Sequence, residues 1–286
     1  MKNVFIILIN RNGCEDTKSC IESIHLSSHQ NYVVLVVDND SEDNSVSIIK
    51  NDFPEVIVIE SDENIGFAGG CNLGIRYALD HGADYVWLLN NDTLVEANTL
   101  SNMLAVAKSD QQIGAVGAIL LYMDQPDKVQ ARGGGWVDMW RGMSWHCKNA
   151  QDETRLTYLT GASMLIRHEA IIDIGLLDAS FFMYWEDADY SRRLSKAGWK
   201  LKVASNAKIL HKESATTGRK STNFYKMFNH SSALFFRKHS TGPLIPVLLG
   251  GANRILRRLL RFEFANALAV YQGIRSGLYF VWPDEN

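Results

Sequence analysis

The chain has 286 residues, 46% of them hydrophobic and 21% charged, with a formal net charge of −3 at neutral pH. That length and apolar content suit one large α/β domain, or one and a half ordinary ones, with a substantial core; the near-neutral charge argues against a nucleic-acid enzyme, which carries a basic surface. The charge is also uneven, because from Arg237 onward seven Lys/Arg stand against three Asp/Glu, so the C-terminal tail is net positive and the rest net negative.

Through the first 120 residues, short β-branched runs alternate with helical periodicity. VFIILIN, YVVLVVD, EVIVIES, DYVWLLN and IGAVGAILLY read as strands, and the segments near 15–27, 43–51, 69–81 and 96–108 read as helices. This rhythm predicts a parallel sheet with helices on both faces. Ligands in such sheets bind beyond the carboxyl ends of the strands. From Tyr122 to Tyr158 the periodicity fades into Gly, Trp and charged residues, which predicts an irregular insertion. Regular structure returns with the strand TGASMLIR, a helix from Glu186 to Ala197 closed by Gly198, a strand near 200–204 and a helix around 222–238. In the tail, 243–280, arginines recur at helical spacing among Leu, Ile and Phe. A basic amphipathic helix lying on an anionic membrane and a helix docked on the domain both fit that pattern.

The polar strand ends carry the chemistry. Asn10-Arg11-Asn12-Gly13 follows the first strand and Asp38-Asn39-Asp40-Ser41 the second, where a carboxylate suits either the N3–H of a pyrimidine or a turn. Asn64 and the glycines Gly66, Gly69 and Gly70 lead toward a helix, an arrangement that lets backbone N–H groups approach phosphate. It matches neither the dinucleotide fingerprint nor a P-loop. Asn90, Asn91 and Asp92 end the fourth strand; one carboxylate among amide oxygens suits Mg2+ or Mn2+, and equally Asp92 or Thr93 suits a cap for the next helix. Farther on, FFMYWEDADY sets aromatic side chains directly before Glu186 and Asp187, as in sugar sites where a carboxylate is the general base, although acidic residues also complement the dipole of a first helical turn. His211 follows an apolar strand.

In this order the pieces resemble the family 2 glycosyltransferases of the GT-A fold, and more narrowly their rhamnosyltransferase-like branch. The stretches that carry the likeness are ILINRNG, VVDNDSEDNS, NIGFAGGCNLGI with LLNNDT, and GLLDASFFMYWEDADYSRRLSKAGWK with the later Leu210-His211, spanning about residues 3 to 215. The resemblance implies an α/β GT-A fold with a mostly parallel sheet and a C-terminal helical extension. It divides the chain into a nucleotide-sugar-binding half (1–121), an acceptor-binding and catalytic half (122–215) and the extension (216–286). It implies an inverting, metal-dependent glycosyltransferase that takes its sugar from a nucleotide-diphosphate donor, with dTDP-rhamnose the first choice. The acceptor would be a saccharide or lipid-linked saccharide of a bacterial surface polysaccharide. Asp38 would meet the base, and Asn10, Asn12, Asn64, Gly66, Gly69, Gly70, Asn90 and Asn91 would line the donor site. Asp92 and His211 would hold Mg2+ or Mn2+, Asp187 with Glu186 would be catalytic, and Gly161, Ala162 and Trp185 would face the acceptor. Asn90 stands where the family's D-x-D motif has its first acid, so Asp92 alone brings charge there.

A UDP-hexose or UDP-N-acetylhexosamine transferase would use the same machinery, and a noncatalytic carbohydrate-binding or assembly protein would reuse the fold. A nucleotidyltransferase would want more glycine and basic charge after the first strand than INRNG offers. The four cysteines lack metal or disulfide spacing and read as free thiols. With no apolar run long enough for a signal peptide or a span, the expected location is the cytoplasm, with 243–280 a candidate peripheral contact on the inner membrane face and a homodimer left open.

Overall fold

The computed structural model of the protein describes residues 3–213 and 221–283. Its first half follows the expected alternation: β1 (Val4–Asn10), α1 (Cys14–His25), β2 (Tyr32–Asn39), α2 (Ser45–Asp52), β3 (Ile57–Ser61), α3 (Gly66–Asp80), β4 (Tyr85–Asn90), a short β5 (Thr93–Val95), α4 (Thr99–Ser109) and β6 (Ile113–Tyr122). The strand runs are apolar on both sides because both faces of the sheet are covered. In β1, Val4, Ile6 and Leu8 enter one core with Ile21 and Ile24 of α1 and Met103 of α4. Phe5 and Ile7 enter the opposite core with Ala68, Cys71 and Ile75 of α3.

The segment expected to be an irregular insertion is instead largely extended: β7 (Gln125–Arg132), β8 (Gly134–Asp138), β9 (Met143–His146) and β10 (Tyr158–Leu159). The pattern hides these strands for physical reasons. The first half of β7 is an exposed edge, free to carry charge. In β8, a Cβ on Gly134 or Gly135 would run into the carbonyls of Tyr158 and Trp145, so only glycine permits the pairing. After β11 (Ser163–Arg167), α5 (His168–Ile174) and α6 (Glu186–Lys196), the last strand β12 (Lys200–His211) runs well past the expected end near 204. Three helices close the chain: α7 (Thr222–His239), α8 (Leu244–Leu259) and α9 (Phe264–Leu278).

The main sheet has the order β3-β2-β1-β4-β11-β6-β12-β5, with β7 added beside β6, while β10-β8-β9 form a small second sheet. Six of its nine strands share one direction; β5, β7 and β11 run against them. Strands from both expected halves thus interleave in one sheet, and β6 crosses the 121/122 boundary. The 215/216 boundary lies outside the described residues.

Two local expectations change. Thr93 does not cap the next helix: it belongs to β5, and its hydroxyl donates to the Asn90 carbonyl at 2.7 Å. The glycines after Asn64 do not precede a helix but form its first turns, since α3 begins at Gly66. Gly70 packs against Ile9, where a Cβ would come within 3.3 Å, so this glycine sets the spacing between helix and sheet.

Candidate active site

One cleft of about 680 Å3 opens along the carboxyl ends of β1, β4 and β6. Its walls include Arg11, Asn12, Asn64, Asn90, Asn91 and Asp92 from the first half. Gly161, Ala162, Trp185, Glu186, Asp187 and His211 join them from the second. Sheet register explains the meeting of Asp92 and His211, distant in sequence. The last residue of β12, His211, pairs with Thr93 of β5, directly after Asp92. The His211 Nε2 then lies 3.3 Å from Asp92 Oδ1 and 3.3 Å from the Asn90 side-chain nitrogen. On its other side, His211 Nδ1 meets Gln130 Oε1 at 2.7 Å. With an acceptor at Nδ1, the neutral form of the ring carries its proton there and has its lone pair at Nε2, beside a carboxylate. Two acceptors facing one another at this range suit a shared cation; the carboxylate oxygen suits Mg2+ or Mn2+, and the imidazole nitrogen suits the transition ion better than Mg2+. Among the described residues no group of three His, Cys, Asp or Glu side chains gathers to hold a metal, so phosphate oxygens would have to complete the coordination.

The second carboxylate centre is held by backbone. Trp185, in the left-handed region at φ 69°, turns the chain into α6, and Phe182 and Tyr184 before it also have positive φ. Bulky residues in that region store about 1–3 kcal/mol each, a strain typical of functional segments. The turn presents Asp187 to the amides: Gly161 N–H donates to its Oδ2 at 3.0 Å and Ala188 N–H to its Oδ1 at 2.7 Å. Burial raises the Asp187 pKa, and these amides oppose the rise. Glu186 is 5% exposed, and burial, followed by the charge of Asp187, lifts its pKa well above the ordinary carboxylate range. Its Oε2 has no hydrogen-bond partner. Burial and the neighbouring charge thus favour the proton on Glu186, while the N–H groups favour the anion at Asp187.

Other expected site residues are placed differently. Asn10 is fully buried and absent from the cleft wall: its amide donates to Asp38 Oδ2 at 2.7 Å and its oxygen accepts from Thr17 at 2.9 Å, bracing β1 against β2 and α1. Asp38 lines a second hollow with Ser41, Glu60 and Asp62. Its oxygens accept from Asn10, from the Ser41 hydroxyl at 2.7 Å and from the Ser41 amide at 3.0 Å, leaving about one of a carboxylate's four acceptor sites. The first-turn amides of α3 do not face open space, because Phe67 N–H and Ala68 N–H point to the Phe182 carbonyl at 2.7 and 3.4 Å. Gly66, at φ +74°, brings the helix against Phe182, Gly69 packs on Ile65 and Gly70 on Ile9, so these glycines fix the strained turn and the sheet spacing. The Trp185 ring packs among Phe228, Phe235 and Phe236 as a wall of the cleft.

The structure also brings in residues that the sequence reading passed over. Asn39 bridges Asn64 and the Gly66 carbonyl at 3.0 and 3.1 Å. Gln130 and Tyr158 come from the supposed insertion, and Phe224, Met227 and Phe228 come from α7. Their signal was absent, because a cleft wall built from a distant helix leaves no local spacing to read.

Residues 4–175 match the family model described as glycosyl transferase family 2. N-acetylglucosaminyl-diphospho-decaprenol L-rhamnosyltransferase of Mycobacterium tuberculosis is 26% identical over 245 residues, 78% of this chain and 80% of that protein. Among solved structures, GalNAc-T7 with UDP, GalNAc and Mn2+ superimposes with a TM-score of 0.65 at 15% identity over 82% of this chain; the chain spans only 48% of that one. Mannosyltransferase PcManGT from Pyrobaculum calidifontis, in complex with GDP-Man and Mn2+, gives a TM-score of 0.62 at 16% identity, covering 97% of this chain and 76% of the other. At such identity these two establish the shared fold, of GT-A type.

Proposed function

The chain belongs to glycosyl transferase family 2, and on that premise we propose that it is an inverting transferase that moves a sugar, rhamnose from dTDP-rhamnose by preference, onto a saccharide or lipid-linked saccharide. The product would enter a bacterial surface polysaccharide, made on the cytoplasmic side. The likeness to a rhamnosyltransferase whose name specifies a diphospho-decaprenol acceptor supports both choices. What carries the reading is one cleft that gathers the Asp92–His211 pair and the amide-held Asp187. Residues 1–121 would serve chiefly the donor and 122–215 the acceptor.

In this mechanism Asp38, fixed by Asn10 and Ser41, offers its remaining acceptor site to the N3–H of the base. Asn12, Asn64 and Asn91 line the path of ribose and diphosphate. Asp92 and His211 Nε2 would hold Mg2+ or Mn2+, which when bound supplies positive charge against the departing nucleoside diphosphate. Asp187 takes the proton of the acceptor hydroxyl, each of its oxygens keeping a lone pair beyond the amide it already accepts. The freed oxygen attacks the anomeric carbon as the bond to diphosphate breaks on the opposite face, which inverts configuration. A base whose pKa is raised by burial is the stronger proton acceptor. Glu186, holding its own proton, keeps a second negative charge out of the site.

A UDP-sugar donor is the second reading, since thymine and uracil offer Asp38 the same N3–H and carbonyl edge. Incubating the protein with dTDP-rhamnose, UDP-galactose and UDP-N-acetylglucosamine, each with Mn2+ and a polyprenyl-diphosphate saccharide, tests the proposal. Transfer from one donor, with inverted product stereochemistry, is expected. Retention of configuration, or no transfer from any nucleotide sugar, would overturn it.

A further inference from the structure

The last two helices are oriented opposite to the usual amphipathic arrangement. In α8 the side facing outward is apolar: Leu244, Ile245, Leu248, Leu249, Leu256 and Leu259 are all exposed. At 3.6 residues per turn these positions fall within one half of the helix circumference. The polar side faces the protein. Arg254 reaches inward to Asn229 Oδ1 at 2.6 Å and the Gly142 carbonyl at 2.9 Å, and Arg258 to the Tyr225 hydroxyl at 2.7 Å and Glu263 at 3.0 Å. Pro246, Val247, Gly250 and Gly251 complete the docked face. The apolar surface continues through the turn, where Leu260 is 72% and Phe262 81% exposed, to Phe264 and Leu268 of α9. Monomeric proteins seldom leave so continuous an apolar surface to water.

Charge at its border favours one occupant. Arg257 at the end of α8 and Arg261 in the turn after it are exposed among these leucines, and Arg275 is exposed farther along α9. The single acid between residues 244 and 280, Glu263, is already paired with Arg258. An apolar face rimmed by arginine suits acyl chains beneath anionic headgroups. The helix α7 connects this surface to the cleft. One side of it supplies Phe224, Met227 and Phe228 to the cleft wall. On the other, a Cβ on Gly273 or Gly277 of α9 would strike the carbonyls of Lys226 and His230. Among the described residues no helix is long and apolar enough to cross a membrane, so the contact lies in the plane of the interface.

We propose that α8, the 260–263 turn and the start of α9 form a membrane-interface surface that seats the protein on an anionic bilayer with its cleft beside the lipid. The sequence left open a basic helix on a membrane and a helix docked on the domain; in this arrangement Arg254 and Arg258 bind the protein, and leucines meet the lipid.

Sedimentation with vesicles of phosphatidylcholine alone and of phosphatidylcholine with phosphatidylglycerol tests this without donor or acceptor, so its failure leaves the transfer reading standing, and the reverse. The full chain is expected to bind the mixed vesicles on the order of tenfold more tightly at low salt, from two or three surface arginines. Leu248→Glu with Leu256→Glu, both at exposed positions, is expected to abolish binding while circular dichroism and thermal melting stay unchanged. Arg257→Ser with Arg261→Ser is expected to remove the preference for the anionic lipid. Failure to bind either vesicle, binding that survives the leucine changes, or a soluble dimer that those changes dissociate without any vesicle binding would each overturn the proposal, the last by assigning the surface to a second copy. Equal binding to both vesicle types would overturn its anionic part.

Discussion

His211 Nε2 lies 3.3 Å from the Asp92 carboxylate, while its Nδ1 donates to Gln130 at 2.7 Å. The histidine is thereby fixed in one tautomer by a residue from another strand. If Nε2 is a metal ligand, Gln130 orients it, and losing such an outer partner typically costs 10–100-fold in metal affinity or activity. Gln130→Leu should therefore weaken nucleotide binding in Mn2+ by roughly that factor and leave metal-free binding unchanged, as read by titration calorimetry. Equal loss with and without metal would assign Gln130 a packing role only.

The two neighbouring carboxylates should behave unequally. Asp187→Asn removes the proposed base and should lower turnover by about 10²–10⁴-fold while donor affinity holds. Glu186→Gln replaces a protonated acid by its neutral isostere and should leave most of the turnover intact. Because burial raises the Asp187 pKa, the acid limb of kcat should lie above the ordinary aspartate value rather than below it. Reversal of the two variants would exchange the roles.

Asp189 predicts the acid stability of the helical dock. Burial pushes its pKa up, but the hydrogen bond from His239 and the charges of Arg193 and Lys238 outweigh that and hold it at about 2. A carboxylate depressed on folding contributes stability that is complete above its unfolded pKa, about 3.9, and is lost as pH falls through the folded value. Roughly 2 kcal/mol should disappear between about pH 4 and 2. Buried His239, its pKa also lowered by burial, adds an earlier loss as pH falls through about 6.5, because the unfolded chain binds its proton more readily. Urea titrations across this range should show both losses in the wild type, and Asp189→Asn should flatten the lower one.

Gly66 ties the cleft to the strained turn. Its φ of +74° and the carbonyl of Phe182, which a Cβ would strike, leave no room for a side chain. Gly66→Ala should cost at least about 1–2 kcal/mol from the backbone conformation alone and should lower turnover by displacing the turn that carries Asp187. A variant with a wild-type melting temperature and rate would show that the turn adapts freely.

The legible and illegible parts of the molecule divide by locality. The five apolar runs of the first half are strands as expected, because two covered faces demand unbroken hydrophobicity, and one cleft gathers Asp92, Asp187 and His211, which the sequence marked as candidates. Sequence shows that Asn10 and the α3 glycines stand near strand ends, not which neighbours they meet: Asn10 pairs with Asp38 and Thr17, and Gly66 and Gly70 pack on Phe182 and Ile9. Gln130 and the α7 aromatics were invisible, since register between distant strands and docking of a distant helix determine them. The tail showed both leucines and arginines, but only the docked fold reveals which side meets the protein.

The most direct test is the thermal stabilisation of the full chain by dTDP and UDP, each with and without Mn2+, in the wild type, Asp92→Ala and His211→Ala. Bound ligand raises the melting temperature by mass action. A metal-dependent increment in the wild type that both variants lose is the expected result. Identical increments with and without Mn2+ in all three proteins would contradict the assignment of this cleft to a metal-bound nucleoside diphosphate.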